Sequence, residues 1–195
     1  MTTALETHDL VLGAAGAVRA VAQAASETAL DVRTPCEQWD LGALVQHLLF
    51  YAPVLAASGR RTDPPPGPAD ARDIVLDDSW PDVLSDAVDD VARAWGTPSA
   101  WSGLTTMSGS TPMPAPMIGG MALGELVVHG WDLSMAAGVR PQFSADVLAG
   151  TDLAVGQMAE MGRGMGIFGP EIAVAADVSL LDRIIARTGR EPGWR

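Results

Sequence analysis

The stretch GELVVHGWDLSMAAG, residues 124–138, carries Glu125, His129 and Asp132 at spacings of four and three within an otherwise apolar run. On an α-helix, positions i, i+4 and i+7 lie nearly above one another, so the three ionisable groups share one stripe. A helix this apolar belongs inside a fold. A carboxylate taken out of water is costly unless it is paired, hydrogen-bonded or bound to a metal, and the segment holds no such partner. Another element must therefore be packed against the stripe. That demand points to helices lying side by side, a bundle whose sites are built from facing side chains.

The rest of the chain supplies such helices. Leu10, Val11, Ala14, Val18, Val21, Ala22 and Ala25 mark a first helix over about His8 to Thr28. Asp40 reads as the N-cap of a second, running to about Ala57. Trp80, Val83, Leu84, Ala87, Val91 and Trp95 line one side of a third between Asp77 and Trp95. The ionisable stripe lies on a fourth, from about Ile118 to Ala137, stopped by Gly138 with Pro141 just beyond. A fifth is expected from about Ser144 to Met161, and the tail holds a Gly-rich turn, an apolar segment around Ile172 to Val174 and a short helix near Leu180 to Thr188. Pro64, Pro65, Pro66 and Pro68 exclude helix and predict an exposed loop between the second and third helices. GTPSAWSGLTTMSGSTPMPAPMIGG, residues 96–120, is rich in Thr, Ser, Gly and Pro and predicts a short extended hairpin or a wrapped loop. The expectation is one all-α domain over residues 1–195, a four-helix bundle with a short irregular crossover and a C-terminal extension over about 163–195.

Composition narrows the class of ligand. With 195 residues and 48% hydrophobic content the chain fills one core. A net charge of −12 repels both a phosphate backbone and an anionic lipid surface, so neither nucleic acid nor membrane is an expected partner. The most apolar run, Leu41 to Ala57, is interrupted by Gln46, His47 and Pro53 and falls short of a bilayer span, which makes it a core helix. The single cysteine, Cys36, forms no internal disulfide, and the N-terminus lacks the pattern of a secretory signal. The expected compartment is the cytoplasm. Six tryptophans and many alanines point to a self-complementary apolar face and hence to a homodimer.

Only three histidines exist, His8, His47 and His129. His8 lies near the start, whereas His47 sits among Leu44, Val45, Leu48 and Leu49 of the second helix and is the candidate partner for the stripe. Taken singly, each group has an ordinary reading. A lone histidine in an apolar helix is more often a packed residue than a ligand; Glu125 could pair with an arginine, and Asp132 could cap a loop or accept the indole N–H of Trp131. Together they say more, because two of the three histidines occupy the most apolar helices and one shares a face with a glutamate. Two imidazoles and a carboxylate form a ligand set used for zinc, and also for nickel or non-haem iron, with a coordination position left open. The E-x-x-x-H spacing differs from H-E-x-x-H, so Glu125 reads as a ligand rather than as a metalloprotease base.

Three blocks resemble a known family. TPCEQWDLGALVQHL (residues 34–48), GELVVHGWDLSMAAG (residues 124–138) and FGPEIAVAADVSLLDRIIARTGREPGW (residues 168–194) are similar to the actinobacterial metal-binding branch of the DinB/YfiT-like superfamily, which includes mycothiol-dependent maleylpyruvate isomerase and related thiol transferases. The resemblance implies a four-helix bundle holding a divalent metal, usually zinc, through His47, Glu125 and His129. Asp132 and Trp131 match further motif positions, expected behind the ligands, against substrate or in packing, since metal-bound imidazoles commonly need a hydrogen-bonded orienter. Cys36 also matches a motif position and is expected as a small buried hydrophobe rather than a ligand. Maleylpyruvate isomerase carries a further C-terminal α/β domain, for which the roughly 30 residues after Met161 are too few. The leading expectation is a mycothiol-dependent S-transferase acting on a small electrophile, with the metal-bound thiolate as nucleophile and no separate catalytic side chain. The alternatives are a hydrolase or lyase using metal-bound water and a non-catalytic metal-binding module.

Overall fold

Asp40 sets the frame of the fold. Its carboxylate accepts the Ala43 N–H at 2.8 Å and starts helix α2, Leu41–Arg60. The chain just before it is tied back across this helix start, with Leu41 N–H donating to Val32 at 2.9 Å and Gly42 N–H to Leu30 at 2.7 Å. In the computed structural model, which describes residues 7–107, 109 and 111–195, five further α-helices follow the order α1 Thr7–Ala24, α3 Trp80–Trp95, α4 Ala115–Ala136, α5 Ala145–Gly164 and α6 Leu180–Arg187. Residues 1–6 of the expected domain, and Ser108 and Ser110 of the expected hairpin, lie outside the described residues.

The helix boundaries have local causes. α2 runs three residues past Ala57 and ends where Arg61 turns left-handed at φ 57, its N–H returning to the carbonyls of Ala57 and Ser58. α3 begins at Trp80 rather than Asp77, because the Asp77 carboxylate accepts from the Ser79 backbone and hydroxyl and forms a turn, with Pro81 then fitting the first helical turn. α4 starts at Ala115, three residues earlier than the apolar pattern suggests, since the Ala115 N–H is satisfied by the Gly103 carbonyl at 2.9 Å. It ends as expected ahead of Gly138, φ 67. Between α3 and α4 the chain forms the expected short hairpin, β1 Leu104–Thr105 paired antiparallel with β2 Met113–Pro114. The Arg61 guanidinium holds this crossover by donating to the carbonyls of Ser99, Ala100, Ser102 and Leu104.

α1 and α2 each pack against both α3 and α4, so the four helices form a ring in which α2 and α4 are neighbours. The core is aliphatic, with Val11, Val18, Leu41, Leu44, Leu84, Ile118 and Leu133 fully buried around Trp95. α5 lies against α4 and α1, and α6 against α5. Between them a second apolar cluster gathers Val128, Trp131, Val155, Ile184 and Ile185. α4 is thus covered on nearly all sides, which accounts for its uniformly apolar sequence. α2 at 20 residues is by itself long and apolar enough to cross a membrane, contrary to the reading of its first seventeen residues; half of it is buried against its neighbours, as in a core helix. None of the six tryptophans is exposed, so they contribute no open apolar face. The loop over residues 63–68 is exposed except for a partly covered Pro64.

Candidate metal centre

The neighbouring of α2 and α4 brings the three expected ligands together. Glu125 Oε2 lies 3.1 Å from His47 Nε2 and 3.5 Å from His129 Nε2. One donor atom from each residue falls within 4.8 Å of the others. Tetrahedral zinc with ligands at about 2.0–2.2 Å places neighbouring ligand atoms about 3.3–3.6 Å apart, close to the two glutamate–histidine spacings. The side chains of His47, Glu125 and His129 keep 16%, 29% and 10% of their surface exposed, so the cluster is half-buried with some contact with solvent.

Asp132 decides what His129 presents. One turn below, its fully buried carboxylate takes His129 Nδ1 at 2.8 Å and receives Arg190 Nε at 2.8 Å and 3.0 Å on its two oxygens. With Nδ1 turned to Asp132, it is Nε2 of His129 that faces Glu125. The 3.5 Å between this nitrogen and Glu125 Oε2 is a separation that a proton or a metal ion placed between them would bridge. The convergence of a third donor, His47, suits the ion. Burial opposes the charge of Glu125, but His129, His47 and Arg190 outweigh it and hold the carboxyl below its ordinary value.

The motif around α2 has a structural explanation. Thr34 Oγ1 donates to the Trp39 carbonyl at 2.8 Å and accepts the Cys36 N–H at 3.1 Å, closing a turn that aims Trp39 across the site. The Trp39 ring lies 4.4 Å from His47 and 5.5 Å from His129, and the Tyr51 ring lies 4.8 Å from His47. Cys36 is half-buried beside Arg190 and is not one of the clustered donors; burial pushes its thiol up, against the pull of Arg190. Trp131 turns to the opposite side of α4, into the cluster with Ile184 and Ile185.

The sequence reading left out Arg190, Trp39 and Tyr51. Arg190 was legible in kind, because two carboxylates on a buried stripe call for a cation, yet nothing selects it among 12 arginines. Trp39 and Tyr51 stand eight residues before and four after His47, and only the Thr34 turn makes the first of them a neighbour.

The family model of the mycothiol maleylpyruvate isomerase N-terminal domain matches residues 11–134, which include His47, Glu125, His129 and Asp132. No match was found among the curated proteins or among the solved structures.

Proposed function

The chain belongs to the mycothiol maleylpyruvate isomerase N-terminal domain family, and from that premise we propose that it holds one divalent metal ion, zinc by preference, on His47, Glu125 and His129, and transfers the thiol of mycothiol to a small electrophile. The observation that carries this reading is the meeting of three half-buried to buried donor atoms within 4.8 Å. A divalent ion there supplies one kind of chemistry, since it lowers the pKa of a thiol that joins it and so provides a nucleophile at neutral pH.

The chain's own residues prepare the rest. Asp132 engages His129 Nδ1, so that Nε2 and not Nδ1 faces the site. Glu125 stays ionised throughout the neutral range and gives the site a negative charge that opposes a divalent cation. Trp39 and Tyr51 exclude water from the faces of His47 and offer apolar walls to the carbon skeleton of a substrate. No side chain in the described cluster stands apart as a general acid or base, which leaves positioning and thiol activation as the work of the site.

Purification without chelator followed by elemental analysis is the first test, and about one divalent ion per chain is expected. The metal-loaded protein is then incubated with mycothiol and a panel of electrophiles, and adducts are detected by mass. His129→Ala should lose metal and adduct formation together while keeping the helical circular dichroism signal, because apolar packing supplies most of a bundle's stability. A His129→Ala variant that unfolds makes the ion structural. A variant that keeps full transfer contradicts the thiol mechanism, and stoichiometric metal with turnover of water instead of thiol favours hydrolysis.

A further inference from the structure

Arg190 comes from beyond the residues matched to the family, 56 positions after the match ends at 134. The path that delivers it is specific. α6 closes with Thr188 and Gly189, the latter at φ 85 and so near the Gly169 backbone that a Cβ would lie 2.6 Å from its Cα. A left-handed turn against another backbone admits glycine alone. Gly169 N–H donates to the Thr188 carbonyl at 3.1 Å and Arg190 N–H to the Ile185 carbonyl at 3.3 Å, which pins the residue after the turn. The Arg190 side chain then reaches back to α4 with only 10% of its surface exposed.

Each guanidinium nitrogen has a neighbour, Nη2 lying 3.5 Å from His129 Nδ1. Nε serves both oxygens of Asp132, and Nη1 donates to Thr188 Oγ1 at 3.2 Å. A clamp for a substrate carboxylate needs a free bidentate edge, and Arg190 has spent its Nε on Asp132. Its shortest contacts are with Asp132, through which it acts on His129. Without Arg190 the Asp132 carboxylate would lose the two contacts that fix its orientation, and with them the placement of the oxygen that meets His129 Nδ1.

We infer that Arg190 is a positioning residue for the metal centre: from the C-terminal tail it holds the Asp132 carboxylate in place, and Asp132 in turn orients the His129 ring so that Nε2 would meet the ion. The inference rests on the ligand set proposed above. It gives the tail a function in the site, since the segment that carries Arg190 is the one that completes the chain of contacts behind the metal ligand.

The test measures metal affinity rather than turnover. Zn²⁺ affinity is read by competition with a chromophoric chelator, and the Co²⁺ derivative by its ligand-field spectrum, for wild type, Arg190→Gln, Arg190→Lys and Arg187→Ala. Arg187 fastens α6 to α5 through Asp152 and does not touch Asp132, so it reports on loosening of the tail alone. Arg190→Gln should weaken Zn²⁺ binding by about 10–100-fold, the range for partners of a metal-bound imidazole, and change the Co²⁺ spectrum. Arg190→Lys, which keeps the charge without the fork, should fall between the two. Arg187→Ala should melt earlier yet bind within twofold of wild type. Wild-type affinity in Arg190→Gln overturns the inference, as does an equal loss in Arg187→Ala. If Arg190→Gln does not fold, Arg190→Lys decides, since undiminished affinity with an unchanged spectrum overturns it. A wild-type chain that takes up no ion removes the metal reading itself, and the inference falls with it.

Discussion

Asp132→Asn is the substitution that most directly measures what the buried polar chain contributes. The carboxylate is fully buried and the Arg190 side chain 10% exposed, so the change leaves a largely buried guanidinium without its hydrogen-bonded carboxylate partner. Breaking one half of such a pair costs about 3–5 kcal/mol. Asparagine keeps the shape and one acceptor oxygen, which His129 Nδ1–H and Arg190 Nε–H must share, and this places the expected loss near the low end, about 3 kcal/mol. Against a total stability of about 5–15 kcal/mol for a domain, that is a large fraction. The assay is urea unfolding of the metal-free protein at pH 7 followed by circular dichroism. With a slope of about 1–3 kcal/mol/M the midpoint should fall by about 1–3 M. A double variant, Asp132→Asn with Arg190→Met, removes the stranded charge, and should recover about 2 kcal/mol of the summed single losses. A single loss under about 1 kcal/mol, or additivity within about 0.5 kcal/mol, would refute the claim that the two charges depend on each other.

Three further outcomes follow from other parts of the molecule. Glu125 has a carboxyl held below its ordinary 4.5, so its charge contributes to stability above that pH and the contribution is lost as pH falls through the lowered folded value. The stability gap between wild type and Glu125→Gln, measured without metal, should hold from pH 7 to about 4.5 and close in stronger acid; a gap that widens in acid reverses the sign. At Gly119 an added Cβ would lie 2.5 Å from the Trp101 ring, which is pinned by its Nε1–H on the Trp95 carbonyl at 2.8 Å. Gly119→Ala should destabilise by about 1 kcal/mol, because overpacking of about 1–3 kcal/mol exceeds the gain of about 1 kcal/mol in helix propensity; a higher melting temperature contradicts this packing. Limited digestion with a protease of broad specificity should cut first within residues 62–70, and a first cut inside α2 or α3 would mean that the loop is not the most accessible segment.

Much of this was legible in the chain itself, for reasons of local chemistry. The i, i+4, i+7 spacing of Glu125, His129 and Asp132 fixes a common stripe whenever the segment is helical, and the apolar residues around it leave little choice but a helix with cover. Asp40 and Ser144 start α2 and α5 through their own side chains, and Gly138 supplies the left-handed φ just beyond the end of α4. His47 was singled out because histidine is scarce, a matter of counting. The third residue of the stripe could be placed behind a ligand, yet its own partner could not be named.

What the sequence determined by itself is therefore local and periodic: where helices begin and end, which face of each is apolar, and which three donors a bundle could bring together. What only the tertiary structure decided is every pairing across long separations. α1 and α2 both lie between α3 and α4, Trp39 folds over His47 on a turn tied by Thr34, Trp131 faces α6 instead of the site, and Arg190 crosses 58 positions to meet Asp132. The physical reason is that a helix needs only its neighbours at three and four residues to exist, whereas a buried carboxylate accepts any cation that the packing can deliver. Twelve arginines satisfied that chemical requirement on paper, and the backbone contact between Gly169 and Gly189 selected one of them.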